Sequence, residues 1–443
     1  MLRDAYGNTI STPHPETVVA VDIYTADWIG YGQRLRTIFG AADADPDCAF
    51  VNACAASVHM ALEARSGFDA ARPYLERMRA TATQASEREQ AFISAVDAWS
   101  RGNTRETLEL HRDLVERWPT DIATAKWGQY HAFNMGHAVA MRSMAEAVLP
   151  AHRETPEVWG MLAFAEEQCH RTDAALEAAF HGLSLRPTDP WAHHAVAHAY
   201  ETQDRTKDAI KFLTAQAPGW EDRSIFVREH NWWHLAQFHL DRGDHARVLE
   251  IYDDHLWGTW PEFAQEQVGA ISALWRLELM DVDVGARWQA VAAKIAERGY
   301  EHVLPFHDLH FLYALARSGN SALVESFLHS LAQHAIASRD SVWPSIVHPA
   351  GRALVAHARG QYGHTSLLLL PLLGQFHHLG GSHSQRDVLL QTWIHSSLHA
   401  HEYSSVDDAL RRYVRHRADL GSTRRFIKHA RRHCDAPFRL RVA

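Results

Sequence analysis

Apolar residues recur at i, i+3, i+4 and i+7 along nearly the whole chain, and sustained alternation of the strand kind is almost absent. That pattern predicts an all-α protein. The helices are expected in hairpins, because short polar breaks interrupt the periodic stretches: Arg101-Gly102-Asn103, Trp118-Pro119-Thr120-Asp121, Pro187-Thr188-Asp189-Pro190, Asp241-Arg242-Gly243-Asp244 and Gly360-Gln361-Tyr362-Gly363. In the Pro187 break Asp189 is placed to cap the following helix, and Pro190 to take its first turn, where a missing N–H costs nothing.

The hairpins repeat. The run from Val158 to Ala175 aligns with the run from Ala192 to Ala209, 34 residues later, and this is the tetratricopeptide (TPR) period. Trp233 to Tyr252 and Leu354 to Leu373 follow the same helix-turn-helix plan more loosely. A single hairpin cannot bury its own apolar face, so the pattern predicts a TPR-like α-solenoid of about a dozen or more helices. A chain of this length is long enough for such a stack to curl round a central pocket. Residues 1–25 are expected as an N-terminal extension, 26–400 as the repeat domain and 401–443 as a basic helical tail.

Four blocks of residues carry a family resemblance. They are Pro187-Thr188-Asp189-Pro190-Trp191, His194-Ala195-Val196-Ala197-His198 with Glu201, His230-Asn231-Trp232-Trp233-His234, and Gly380-Gly381-Ser382 with Gln385-Arg386-Asp387. In this succession the chain resembles the tetratricopeptide repeat protein 38 family, from about Asp27 to about His399. The resemblance implies a TPR-like α-helical architecture and does not of itself imply a particular chemistry.

Composition narrows the partners. The 443 residues carry 44 Lys and Arg against 53 Asp and Glu, a net charge of −9, which argues against a protein that holds nucleic acid or an anionic membrane by its overall charge. Basic residues dominate only from Arg411 to Arg441, a stretch read as a solvated helix face rather than a nucleic-acid arm. Cys48, Cys54, Cys169 and Cys434 are scattered and form no CxxC, so neither a disulfide framework nor a zinc knuckle is expected, and a reducing cytoplasm fits. The N-terminus has no apolar signal core, and the longest apolar run, Leu367 to Leu373, is broken by Pro371, so no export signal and no membrane span are expected.

Thirty-three histidines are several-fold more than a chain of this length ordinarily carries, and histidine is the commonest metal ligand. His194 and His198 are spaced i, i+4, which puts both imidazoles on one helix face. His230 and His234 repeat that spacing about one structural repeat later, so the two pairs are expected to face each other on neighbouring helices. With His310 and Asp308 as a further contribution, the set suits zinc, iron or manganese, and haem held by a histidine stays open. Two other readings stand beside this: core histidines bonded to backbone carbonyls, and a metal-free general base oriented by Glu201 or Asp308. Trp191, Asn231 and Trp233 are expected to wall a substrate pocket, although aromatics at helical spacing also make repeat core. Arg386 is placed to clamp a substrate carboxylate with Asp387 orienting it, or equally to form a buried ion pair with Asp387. His395 and His399 read as an exposed face, and His131, His137, His377 and His378 as structural.

No phosphate loop, G-x-S-x-G elbow, HExxH or cysteine-nucleophile context is present, so nucleotide hydrolysis, serine-hydrolase, zincin and Cys–His chemistry have no motif behind them. The favoured expectation is an enzyme acting on a small organic substrate through metal-bound water, with Glu201, Asp308, Arg386 and Asp387 as catalytic residues and an oxygenase as the second chemistry. The alternative is a TPR-type scaffold that binds a peptide or protein without catalysis. The expected partners are a small-molecule substrate, no membrane and no nucleic acid, with homo-oligomerisation left open.

Overall fold

The computed structural model describes residues 2–413, 423 and 426–428. A two-residue antiparallel hairpin, β1 (Leu2–Arg3) and β2 (Thr9–Ile10), precedes twenty-two α-helices among the described residues. These begin α1 (Pro15–Gly30), α2 (Thr37–Ala44), α3 (Ala49–Met60), α4 (Arg65–Thr81), α5 (Glu87–Ser100), α6 (Thr104–Arg117), α7 (Ile122–Asn134) and α8 (Ala138–Val148). Next come α9 (Pro156–Gln168), α10 (Thr172–Leu185), α11 (Pro190–Thr202), α12 (Thr206–Gln216), α13 (Ile225–Asp241), α14 (His245–Ile251) and α15 (Ala264–Leu279). The series ends with α16 (Arg287–Arg298), α17 (Pro305–Arg317), α18 (Ser321–Ala337), α19 (His348–Ala358), α20 (Tyr362–Leu369), α21 (His383–His399) and α22 (Tyr403–Tyr413). The all-α, paired-helix architecture expected from the periodicity is what forms. Of the basic stretch, Arg411 and Arg412 are exposed on the last turn of α22, whereas Arg415, Arg417, Arg424, Arg425, Arg431 and Arg432 lie outside the described residues.

The turn that closes each hairpin recurs with the sequence period. The N–H groups of Asn103, His137, Arg171 and Arg205 donate to the carbonyls of Ala98, Ala132, Glu166 and Tyr200 at 3.0, 2.8, 2.9 and 2.8 Å. Each bond spans five residues around one residue in the left-handed region: Gly102, Gly136, His170 and Asp204, with φ of 73°, 73°, 60° and 56°. This is the Schellman closure, which satisfies a carbonyl that the helix end would otherwise leave bare. Its donors stand 34 residues apart from Asn103 to Arg205. The same bond closes Asp244 onto His239 and Gln361 onto Ala356. Helix starts are set as locally: Ser86 and Glu89 form a capping box on α5, Ser382 and Gln385 another on α21, and Asp121 caps α7.

By its internal contacts the chain divides into two compact units, Met1–Ala199 with Leu213–Asn231, and Tyr200–Phe212 with the chain from Trp232 on. In the first unit the initial helices of successive hairpins stack, α3 on α5, and α1 packs on α7. Val18, Val21 and Tyr24 of α1 are buried there, in the segment expected as an extension. Trp127 stacks on Trp28 at 3.8 Å, and its Nε1–H donates to the Tyr24 hydroxyl at 2.6 Å. Arg88, buried, pairs with Asp121 and donates to the Thr9 carbonyl at 3.0 Å, which ties the β-hairpin to α5. In the second unit α15, α17 and α19 stack in series and α21 returns to pack on α15, around a core in which Tyr313 stacks on Trp275 at 3.9 Å. No helix among the described residues is long and apolar enough to cross a membrane.

Two glycines test the turn geometry. A methyl group added at Gly102 or at Gly40 meets nothing within 4 Å, so packing cannot separate them. Gly102 has its left-handed φ, and Gly102→Ala is expected to cost about 1–2 kcal/mol. Gly40 lies inside α2, where Gly40→Ala is expected to stabilise by about 0.5–1 kcal/mol. Urea unfolding of the two variants reads the opposite signs, and equal signs would remove the left-handed requirement from the turn.

Candidate metal centre

Asp189 starts the site by starting α11: its Oδ1 accepts the Trp191 N–H at 2.9 Å, the cap expected from sequence. Burial, with the Glu157 charge adding to it, pushes the Asp189 carboxyl up to about 6. The α11 face so fixed carries His194 and His198, and α13 carries His230 and His234. The Asn231 side chain, donating to the Pro190 carbonyl at 3.1 Å, joins α13 to the first turn of α11. The division between the two units falls inside both helices, after Ala199 and after Asn231, so His234 is counted in the second unit although it stands one turn beyond His230 on the same helix.

One ring nitrogen from each of these four histidines lies within 4.8 Å of the other three. His194 Nε2 is 3.0 Å from His198 Nε2 and 3.1 Å from His230 Nε2. His194, His198 and His234 are buried and His230 is half-buried. Burial pushes His230 down to about 4, so this imidazole is neutral at pH 7, the state in which it ligates a metal. The walls are aromatic. Trp191 stacks on His194 at 4.2 Å, Phe164 stands 4.8 and 5.2 Å from His194 and His198, and Phe226 stacks on His230 at 5.7 Å. Lys126 sits between the rings of Trp191 and Tyr31, 4.3 and 4.6 Å from them, and burial lowers its ammonium to about 7.

The carboxylate beside the cluster is Glu167 on α9, buried, with Oε2 3.6 Å from His198 Nδ1 and accepting from Gln168 at 2.6 Å. Sequence reasoning missed it, yet a signal existed: Glu167 stands 34 residues before Glu201 and is its repeat counterpart. Glu201 itself accepts a hydrogen bond from the Ser384 hydroxyl.

The other expected site residues are placed elsewhere. His310 Nδ1 bonds the Phe306 carbonyl at 2.9 Å and stands outside the convergent set. Asp308 accepts from His302. Arg386 donates to the Gly381 carbonyl and reaches His383 Nδ1 at 3.2 Å, and Asp387 accepts from Gln391 at 2.7 Å. Trp233, by contrast, stays beside the cluster: it is buried, its ring edge-on to His234 at 4.9 Å, with the Arg276 guanidinium 5.4 Å over it. One reading needs correction: His395 is not on an exposed face but buried, its Nδ1 3.3 Å from His357 Nε2. A cavity of about 390 Å³ in the first unit is lined by Asp27, Arg34, Glu157, Arg186 and Arg223 among others, and by none of the residues that the sequence singled out.

No protein-family model matches the chain. A solved structure similar to it is that of the human IFIT1 dimer with m7Gppp-AAAA, at 11% identity and a TM-score of 0.41, covering 88% of this chain and 90% of that one. The expectation that nucleic acid is no partner is withdrawn. Its ground was a net charge of −9 summed over 443 residues, and a sum does not give the sign of the potential in any one groove.

The buried histidines set a pH dependence. Burial pushes His111, His193, His230 and His310 down to about 4 and His357 to about 3, while the unfolded chain titrates near about 6.5. Between those values the unfolded chain binds protons that the folded chain does not, so stability is full above about 6.5 and is lost as pH falls. Asp189, Asp4 and Asp308, all raised by burial, work in the opposite direction, but His59, His131, His152, His307 and His348 are lowered by burial as well and add to the five. From pH 6.5 to 5, above the range of unfolded carboxylates, the unfolding free energy of metal-free protein is expected to fall steadily in urea titrations. A rise over that window would contradict neutral burial.

Proposed function

We propose that this chain is a helical-repeat binding scaffold whose fold is fastened by a transition-metal ion on His194, His198, His230 and His234. The observation that carries the reading is the meeting of three Nε2 atoms at 3.0 and 3.1 Å. Two imidazoles can share one proton in a hydrogen bond, but a ring nitrogen facing two others can donate to only one of them, whereas a single cation satisfies all three. The spacing is close to the roughly 3.3 Å between ligand nitrogens of a tetrahedral zinc with Zn–N near 2.0–2.1 Å. Neutral nitrogen donors favour zinc over calcium or magnesium. Glu167 is positioned to hold the His198 tautomer by its Nδ1, as a carboxylate behind a metal-bound histidine does.

Donor number decides between scaffold and metallohydrolase. Hydrolysis by metal-bound water needs three protein ligands and an open position, whereas four imidazoles complete a tetrahedral shell and make a closed, structural site. We therefore assign the chemistry of this centre to stability, and the role of the chain to binding a peptide or protein along its helices, the usual employment of TPR-like arrays. Free thiols at Cys48, Cys54 and Cys169 are in keeping with a reducing compartment, and we place the protein in the cytoplasm.

Metal-free protein titrated with zinc is expected to take up one tightly held equivalent. Free zinc at a hundred times Kd is expected to add about 2.7 kcal/mol to its unfolding free energy. The double variant His194→Gln, His198→Gln is expected to keep its helical circular dichroism and lose both the uptake and the stabilisation. Equal tight uptake by the double variant would place zinc on other histidines and end the assignment.

A further inference from the structure

The second unit holds a constellation that no motif announced. His302, in the loop between α16 and α17, has Nδ1 2.5 Å from Asp308 Oδ2 and Nε2 2.9 Å from Ser330 Oγ. The burial is graded as a catalytic relay requires: Asp308 is buried, the His302 side chain is 6% exposed, and Ser330 on α18 is half-buried. We propose that Ser330, His302 and Asp308 form a metal-independent acyl-transfer site for small carboxylic esters, with Ser330 as nucleophile, His302 as general base and Asp308 holding the imidazole.

Three features separate this arrangement from an ordinary polar contact. Each nitrogen of His302 meets the partner that its role demands, and such a triad is recognised by geometry and roles rather than by sequence position. Ser330 also departs from the habit of helical serines, which turn the hydroxyl back to the carbonyl four residues earlier. Ser57 and Ser94 do so here, bonding Ala53 and Gln90 at 2.9 and 2.8 Å, while Ser330 meets His302. Finally, His302 has φ of 50°, a left-handed conformation that costs a non-glycine residue free energy and that persists where the surroundings fix it, often at functional positions. Those surroundings are aromatic: His334 stacks on His302 at 4.9 Å, with the rings of Phe327 and Trp343 edge-on at 5.6 and 6.1 Å. Tyr300, partly exposed, meets Phe327 at 5.5 Å, so an aryl or short acyl group is the substrate that these walls would accept.

The step balances with an ester and water alone. Ser330 Oγ attacks the carbonyl carbon, its proton passes to His302 Nε2, and the carbonyl π pair moves onto oxygen. Collapse breaks the bond to the alcohol, which leaves with the proton from Nε2. Water then attacks the acyl-Ser330, gives its proton to Nε2, and releases the acid as Oγ recovers that proton.

A fluorophosphonate tests the nucleophile on the full chain, because attack by Oγ forms a stable P–O bond and expels fluoride. One label per chain is expected, located on Ser330 by peptide mass and unaffected by a metal chelator. Ser330→Ala, which removes one half-buried oxygen, is expected to retain its circular dichroism and lose the label. His302→Gln and Asp308→Asn are expected to slow labelling by about a hundredfold or more. Absence of label, label at another residue, or unchanged rates in Asp308→Asn would overturn the proposal. The last of these would leave the constellation a structural hydrogen-bond chain.

Discussion

The hydrogen bond that closes the hairpins from α5 to α12 governs the register of the helix face that carries His194 and His198. Because the closure spans a fixed five residues around one left-handed position, a 34-residue spacing of closures gives equivalent positions in neighbouring repeats the same setting. Phe164 and His198 are such equivalents, as are Glu167 and Glu201. This is how a helix face bearing His194 and His198 comes to lie against the phenylalanine and the carboxylate of α9. After Arg205 the spacing of closures lengthens, with the next at Asp244, and the single 3-10 turn Ala217–Trp220, which contains Pro218, takes up part of the added length. The histidine pairs themselves are 36 residues apart rather than 34. The left-handed position favours glycine and, among other residues, Asn, Asp and His, and the chain supplies Gly102, Gly136, His170, Asp204 and Gly243 there.

Histidine has two employments in these helices, and the partner of the ring nitrogen tells them apart. His193 reaches the Pro187 carbonyl at 2.9 Å and accepts from Trp220, and His310 reaches the Phe306 carbonyl. A neutral imidazole bonded to a backbone carbonyl fills core volume and satisfies an acceptor, which needs no further ligand. His194, by contrast, turns its Nε2 to two other imidazoles. Leucine at such a position would bury more apolar surface with no polar atom to satisfy, and this convergence is the observation on which the proposed cation rests.

The same distinction explains what could be read in the sequence. Helix class, hairpin breaks, the Asp189 cap and the meeting of the two histidine pairs follow from periodicities of 3.6 and 34 residues, and these are written along the chain. Glu167 is not legible from α11 itself, where the carboxylate following the histidines is Glu201; its signal lies one repeat back. Arg386 and Asp387 are equally conspicuous in sequence, but local geometry directs Arg386 to the Gly381 carbonyl and Asp387 to Gln391. The resemblance to the tetratricopeptide repeat protein 38 family rests on short blocks, and no protein-family model matches the chain. His302 and Ser330 carry no periodic signal, since one is a strained loop residue and the other a helical serine 28 residues on.

The two sites differ in what stands at one atom. His198 and His302 both turn Nδ1 toward a buried carboxylate: Asp308 bonds His302 at 2.5 Å, which fixes that ring and leaves Nε2 to accept, while Glu167 stands 3.6 Å from His198. Opposite His198 Nε2 stands the imidazole of His194, which in turn faces His230, so that ring nitrogens face ring nitrogens. Opposite His302 Nε2 is a half-buried hydroxyl, which becomes a nucleophile when that nitrogen takes its proton. Under the two proposals, a helical repeat that buries many histidines obtains stability from one carboxylate–imidazole pair and reactivity from another. The difference lies in exposure and in the identity of a single neighbour, not in the fold.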